Sequence, residues 1–169
     1  MAATGQAFIR PPDNHPIYNL IGRVAAEWAR LEHHLDQIIW ELSDMPKSRG
    51  ACVTAQLMSV WPRYNSIIAL LKQRTPKTPE LKKFIEITNE LNKDTRDLSE
   101  RRNRIIHDSW YSAHHSGETS QFRSMARGEW SYDLMYRSVK KTKKTLENIK
   151  ALEKRVEKLK FEILNALSS

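Results

Sequence analysis

Residues 79–107 of the chain read PELKKFIEITNELNKDTRDLSERRNRIIH, a run that predicts one long amphipathic helix. Apolar or threonine side chains recur at helical steps of three and four along it: Leu81, Phe84, Ile85, Thr88, Leu91, Thr95, Leu98, Ile105 and Ile106. Thr78 is a suitable N-cap, and Pro79 fits the first helical position. Arg102 falls on the same stripe, where a leucine would be expected. Its guanidinium must therefore find partners or face a cleft, because an unpaired buried charge is costly.

Two other stretches carry the same helical spacing. The first covers about residues 14–42, and either Asp13 or Asn14 is the expected N-cap. The second covers about residues 132–167 and has a nearly heptad apolar stripe. Such a stripe can close a helix bundle or pair with a second subunit.

The remaining segments are less regular. In residues 50–74, Pro62 either kinks one continuous helix or occupies the first turn of a new one. Residues 75–79 form a connector. Short β-leaning runs lie within residues 109–130, and residues 114–118 between them resemble a hairpin tip. This segment predicts a small β-hairpin or ordered loop.

The order of these elements predicts the fold class. Four main helices with short connections favour an all-α, up-and-down four-helix bundle, with a small β-hairpin or loop insert before the last helix. A length of 169 residues suits one domain with a substantial core. We expect residues 1–13 to be a flexible arm and residues 14–169 to be a single helical bundle domain.

The composition favours a reducing compartment and an anionic partner. Cys52 is the single cysteine, which excludes an internal disulfide and suits the cytoplasm. No run of about 18 apolar residues could span a membrane, and no signal-peptide pattern begins the chain. The net charge is +8, with ten Lys or Arg against five Asp or Glu from Ser131 onward. This balance favours a polyanion such as RNA, although a solvated lysine-rich helix face is the alternative.

Arg102, Asn103 and His107 form an Arg-Asn-x-x-x-His motif at the end of the helix predicted for residues 79–107. RNA cleavage without metal needs a base for the 2′-hydroxyl, an acid for the leaving 5′-oxygen and positive charge at the phosphate. Histidine can move the protons near neutral pH, and arginine offers phosphate a permanently charged fork. Five helical positions rotate a side chain by about 140°, so either the helix frays or the substrate is held between two chains.

This motif resembles the signature of the HEPN superfamily. The early helix containing Trp28, Leu31 and Glu32 is also similar to its bacterial members. The resemblance implies a helical bundle that dimerises, with two motifs facing each other across the dimer axis and the motif residues as the catalytic site. Active members are metal-independent endoribonucleases, and several are toxins paired with antitoxins. Other members act as binding or assembly modules.

Four neighbours of the motif are candidates for substrate binding: Arg101, Arg104, Trp110 and Tyr111. The arginines form a local basic cluster, and the aromatic rings suit stacking on single-stranded bases. The alternative is that both rings pack the insert onto the bundle. Asp108 either tunes the neighbouring imidazole or begins a turn.

A structural role for the motif is the alternative to catalysis. Arg102 could form a buried ion pair with Glu32 or Asp36 of the first helix, which makes Glu32 a supporting residue of the candidate site. His107 could cap the end of its own helix, where an imidazolium favours the negative end of the helix dipole.

We expect neither a metal nor a cofactor. Adjacent helical histidines point about 100° apart, so His33-His34 and His114-His115 each offer at most one ligand to a given site. The sequence contains no cysteine pair, no glycine-rich phosphate loop and no nucleophile elbow.

These features favour a cytoplasmic, dimeric, HEPN-like RNA-binding protein that is a metal-independent endoribonuclease of toxin or defence type. An antitoxin protein would be a further partner. The alternative is a non-catalytic helical module for dimerisation or partner binding. A weaker alternative is a DNA-binding protein driven by the basic last helix, for which the sequence shows no helix-turn-helix signature.

Overall fold

The structure is a computed structural model of the chain, and it describes residues 9–74, 78–112, 119–127 and 129–168. Most of these residues are helical, which confirms the predicted helical character. The elements in chain order are α1 (Pro16–Leu42), α2 (Lys47–Thr54), α3 (Val60–Gln73), α4 (Pro79–His107), β1 (Ser109–Ser112), β2 (Thr119–Arg127), β3 (Glu129–Tyr136) and α5 (Val139–Ser168). No helix in the described ranges combines the length and the hydropathy needed to cross a membrane.

The start of α1 differs from the expectation. The helix begins at Pro16, and the backbone N–H of Ile17 donates to Nδ1 of His15 at 3.2 Å. The imidazole of His15 therefore caps the helix, and the prediction that Asp13 or Asn14 is the N-cap is wrong. Proline suits the first helical position because its missing N–H would have no intrahelical partner there.

The starts of α3 and α4 follow the predictions. The backbone N–H of Leu81 donates to Oγ1 of Thr78 at 3.2 Å, and Pro79 is the first residue of α4. Pro62 is the third residue of α3, so it occupies the first turn of a new helix and does not kink a longer one. The predicted hairpin tip at residues 114–118 lies outside the described residues.

The insert between α4 and α5 is larger than predicted. It is an antiparallel sheet of three strands in the order β1-β2-β3, in which Trp110 pairs with Gln121 and Gln121 pairs with Met135. The last helix was predicted from Tyr132, which is wrong because residues 129–136 pair along β2 as a strand. Four helices were predicted, and the described residues form five because α2 is separate.

The described residues fall into two compact units, which lie within Met1–Ala25 with Glu100–Glu147 and within Ala26–Ser99 with Asn148–Ser169. The first unit contains the three-stranded sheet together with residues from α1, α4 and α5. Where the structure describes side-chain burial in this unit, the buried apolar side chains are those of Ile17, Leu20, Val24, Ile105, Trp110 and Leu146.

The second unit is built from helices whose buried faces recur at the predicted spacing. Its fully buried side chains include Leu31, Leu35, Ile38, Tyr64, Ile67, Leu71, Leu91 and Ile149. Polar contacts join neighbouring helices: Asp36 with Arg63 (α1–α3, 2.7 Å), Tyr64 with Thr95 (α3–α4, 2.9 Å), Asp94 with Arg155 (α4–α5, 2.6 Å), and His34 with Glu153 (α1–α5, 3.0 Å). Within this unit, each of the four long helices therefore contacts two others.

Candidate functional site

The motif residues lie on the last turns of α4. Asn103 and His107 are exposed, and Arg102 is half-buried. Nη1 of Arg102 donates to Oδ1 of Asn103 at 2.8 Å. The asparagine therefore orients the guanidinium at the helix surface, and the structure brings these two predicted residues together.

The intact end of α4 sets the direction of His107 relative to Arg102. The backbone N–H of Asp108 donates to the carbonyl of Arg104 at 3.0 Å, which continues the helical hydrogen-bond pattern past His107. The alternative that this end frays is therefore wrong. Five positions of a regular helix rotate a side chain by about 140°, so the imidazole and the guanidinium leave α4 in different directions. That a substrate is held between two chains stays a prediction.

Two side chains of the sheet hold the carbonyl groups at the end of α4. Nε1 of Trp110 donates to the carbonyl of Ile105 at 3.0 Å, and Nε2 of Gln121 donates to the carbonyl of Arg104 at 2.9 Å. The last carbonyl groups of a helix commonly lack intrahelical partners, and the indole supplies a donor for Ile105. The carbonyl of Arg104 accepts from both Asp108 and Gln121, so the sheet side chains fix the helix end. Trp110 is only 9% exposed, so its ring packs in the core and is not open for base stacking. Tyr111 is half-buried.

Arg137 joins two predicted arginines in what we call the arginine cluster, which comprises Arg101, Arg104 and Arg137. Nη1 of Arg137 donates to Oε1 of Gln121 at 3.1 Å, and that amide holds the end of α4. Burial and, after it, the positive charge of Arg101 lower the pKa of Arg137, while Asp108 opposes them and Arg104 adds a smaller lowering effect. Positive charge is therefore concentrated beside the motif, as an anionic ligand requires.

Sequence reasoning missed Arg137 because the last helix was predicted to cover it. The available signal was Ser138, whose Oγ accepts a hydrogen bond from the backbone N–H of Lys141 at 3.2 Å. A serine whose side-chain oxygen accepts a hydrogen bond from the backbone N–H three residues later is typical of a helix N-cap. That pattern would have placed Arg137 outside the helix.

The predicted supporting carboxylates have identifiable contacts. Oε1 of Glu32 accepts a hydrogen bond from Nε1 of Trp28 at 3.1 Å. Asp36, named as an alternative partner of Arg102, instead binds Nε of Arg63 at 2.7 Å. Asp108 lies between α4 and β1, with its carboxylate 3.7 Å from Nη1 of Arg104. Asp108 therefore offsets part of the charge of the arginine cluster.

One group of side chains in the second unit has the composition of a metal site. Ligand atoms of His34, Glu153 and Glu157 lie within 4.8 Å of one another. However, Nζ of Lys160 lies 3.1 Å from Nδ1 of His34. An ammonium can only donate, so Nδ1 accepts and the ring proton is on Nε2, facing Glu153 at 3.0 Å. A metal would need the lone pair of Nε2, so this arrangement fits a polar network better than a metal centre.

Comparison of the chain with protein-family models, with curated proteins and with solved structures gave no match. The resemblance to the HEPN superfamily therefore rests on the Arg-Asn-x-x-x-His motif and on the helical elements around it.

Proposed function

We propose that the protein is a HEPN-like RNA-binding protein and a metal-independent endoribonuclease that acts as a cytoplasmic homodimer. One observation carries the proposal: Arg102, oriented by Asn103, and the exposed His107 lie on the last turns of α4 beside the arginine cluster. The end of α4 thus combines a group that can transfer protons, a guanidinium that can bind phosphate and further positive charge.

The chemistry follows from these groups. His107 of one subunit takes the proton from the 2′-hydroxyl, whose oxygen then forms a bond to the adjacent phosphorus. The bond from phosphorus to the 5′-oxygen breaks, and the imidazolium of this same His107 gives the proton to that oxygen. Arg102 binds the non-bridging oxygens of the phosphate as their charge increases. The products are a 2′,3′-cyclic phosphate and a 5′-hydroxyl.

The proposed dimer needs a rigid scaffold, for which we propose an up-and-down four-helix bundle of α1, α3, α4 and α5. The polar contacts of the second unit support it, because they join these helices in a closed ring. Up-and-down bundles keep consecutive helices adjacent through short connections. The bundle would hold α4 in place while its last turns meet the second subunit.

A single-stranded RNA assay in excess chelator tests the proposed activity. We expect the wild-type protein to cleave, and His107→Ala to lower the rate at least about 100-fold, since general acid–base catalysis contributes roughly 100- to 10,000-fold. His33→Ala is the matched control, because it removes another exposed imidazole. Cleavage that His107→Ala leaves unchanged, or that requires added metal, would contradict the mechanism.

A non-catalytic dimerisation or partner-binding module is the second candidate function, and one surface favours it. Val53, Met58 and Trp61, near the junction of α2 and α3, are 50%, 93% and 61% exposed. Large exposed apolar groups are typical of protein interfaces. A wild-type protein that leaves RNA intact, and whose self-association is lost in Trp61→Ala, would favour the module over the enzyme.

A further inference from the structure

The backbone of Arg137 is held in place by two hydrogen bonds to Thr119. It follows β3 and precedes α5, and its N–H donates to the carbonyl of Thr119 at 3.1 Å. In return, Oγ1 of Thr119 donates to the carbonyl of Arg137 at 2.7 Å. Because Thr119 is buried, this exchange holds the Cα of Arg137 against the start of β2.

The guanidinium of Arg137 is oriented by a neutral group. Its Nη1 donates to the amide oxygen of Gln121 at 3.1 Å, while the amide nitrogen of Gln121 donates to the carbonyl of Arg104. Gln121 is buried, so it links the arginine side chain to the end of α4 without neutralising it. A guanidinium has five N–H donors, and this contact uses one of them.

The surroundings of Arg137 disfavour its positive charge. The side chain is half-buried, and the charges of Arg101 and Arg104 act on it in the same direction as burial. Asp108 opposes them, and its carboxylate lies 3.7 Å from Nη1 of Arg104. Burial and the neighbouring guanidinium groups both disfavour the charge of Arg137, and a bound anion would offset that cost.

We propose that Arg137, with Arg104 and Arg101, binds a phosphodiester group of single-stranded RNA on the sheet side of the α4 end. The identity of the ligand rests on the proposed function, whereas the positive charge and geometry of the site do not. Arg137 would supply a planar fork to the phosphate oxygens. This contact is separate from Arg102, and it would position the strand relative to His107 without taking part in the chemistry.

The test is the salt dependence of binding to a 2′-O-methyl oligonucleotide, which lacks the nucleophile and so is not cleaved by the proposed mechanism. Fluorescence anisotropy gives the dissociation constant at several salt concentrations. Each phosphate contact contributes about 0.7 to the slope of log K against log salt for a single strand. We expect Arg137→Gln to reduce the slope by about that amount and to weaken binding roughly 5- to 10-fold at moderate salt.

Two further variants make the result specific. Arg137→Lys keeps the charge, so we expect the wild-type slope with weaker binding, because the planar fork is lost. Arg30→Gln removes an exposed guanidinium of the other unit, paired with Glu27 at 3.2 Å, and we expect it to leave both quantities unchanged. If Arg137→Gln lowers the melting temperature, Arg104→Gln tests the same site and should reduce the slope similarly.

The outcomes separate this inference from the ribonuclease proposal. Wild-type binding with an unchanged slope in both Arg137→Gln and Arg104→Gln would overturn the phosphate site, even if unmodified RNA is cleaved. A reduced slope with no cleavage of unmodified RNA would support the site and contradict the enzyme. Absence of wild-type binding to the oligonucleotide would overturn the phosphate site, and the cleavage assay would then decide the enzyme separately.

Discussion

Tyr64 shows how a single buried residue makes stability depend on pH. Oγ1 of Thr95 donates to the carbonyl of Leu91 at 2.6 Å, so the hydroxyl of Tyr64 must be the donor in its 2.9 Å bond to Thr95. The phenol is fully buried, and burial raises its pKa to about 12. The folded protein therefore keeps this hydroxyl neutral well above the pKa of about 10 of an exposed tyrosine.

The sign of the pH effect follows from these two pKa values. Below pH 10 the phenol is neutral in both states, and its contribution to stability is fully present. Between pH 10 and 12 the unfolded chain loses the proton first, so the free energy of unfolding falls by on the order of 2–3 kcal/mol. At pH 9 we expect the free energy of unfolding of Tyr64→Phe to be about 1 kcal/mol below that of the wild type, because the hydrogen bond is lost. By pH 11.5 the wild type has been destabilised by the effect of Tyr64, so we expect the variant to be no less stable than the wild type. Urea unfolding at both values measures it, and parallel pH profiles would contradict it.

At the scale of elements, α2 packs so closely on α1 that one glycine is required. A Cβ atom at Gly50 would overlap the ring of Trp40, whose Nε1 donates to Oγ1 of Thr54 at 3.1 Å. Both Gly50 and Thr54 are buried. The indole therefore lies directly on the backbone of α2, and the short helix depends on this contact.

Two glycine substitutions should have opposite effects on stability. Glycine is about 1 kcal/mol worse than alanine inside a helix, so Gly22→Ala, which meets nothing within 4 Å, should stabilise the protein by up to about that amount. Gly50→Ala gains the same propensity but must displace the Trp40 ring, and overpacking costs roughly 1–3 kcal/mol. We expect a net loss for Gly50→Ala. Thermal or urea unfolding of both variants decides this, and a gain in both would show that α2 can move away from Trp40.

The element boundaries show what periodicity predicts and what it misses. Residues 79–107 were predicted as one helix with Thr78 as its cap, and both details are confirmed because the signals are local. Residues 132–136 were predicted as helix but pair with β2 as part of β3, and periodicity along the chain does not report such pairing. The apolar stripe of α5 begins only at Val139, so nothing in that stripe supported a start at Tyr132.

At the scale of the whole molecule, the sequence predicts the motif on α4 but not the arginine cluster. Arg102, Asn103 and His107 are close in sequence, so a helical pattern is enough to place them on one helix end. Arg137 reaches Gln121 across 16 positions only because the strands pair, and its role could not be read from spacing. Trp110 was predicted as a stacking or packing residue, and its burial selects packing.

Mixing two inactive variants tests whether the proposed site is shared between subunits. If each site uses Arg102 of one chain and His107 of the other, a heterodimer of Arg102→Ala and His107→Ala contains one intact site. We expect each variant alone to be inactive and the mixture, after co-refolding, to recover roughly a quarter of wild-type cleavage. As a control, a double variant that carries both substitutions in one chain is mixed with either single variant. We expect no recovery of cleavage in these mixtures, because each lacks either every Arg102 or every His107. No recovery from the two single variants would contradict a shared site.

The bonds from Trp110 and Gln121 to the end of α4 have a consequence for engineering the chain. An all-helical miniature, with the sheet replaced by a short linker, would leave the carbonyl of Ile105 without its indole donor and expose apolar groups now covered. The sheet therefore cannot be removed to simplify the scaffold without destabilising the end of α4. Any shortened version would have to supply a substitute donor, such as a terminal glycine motif, to end this helix cleanly.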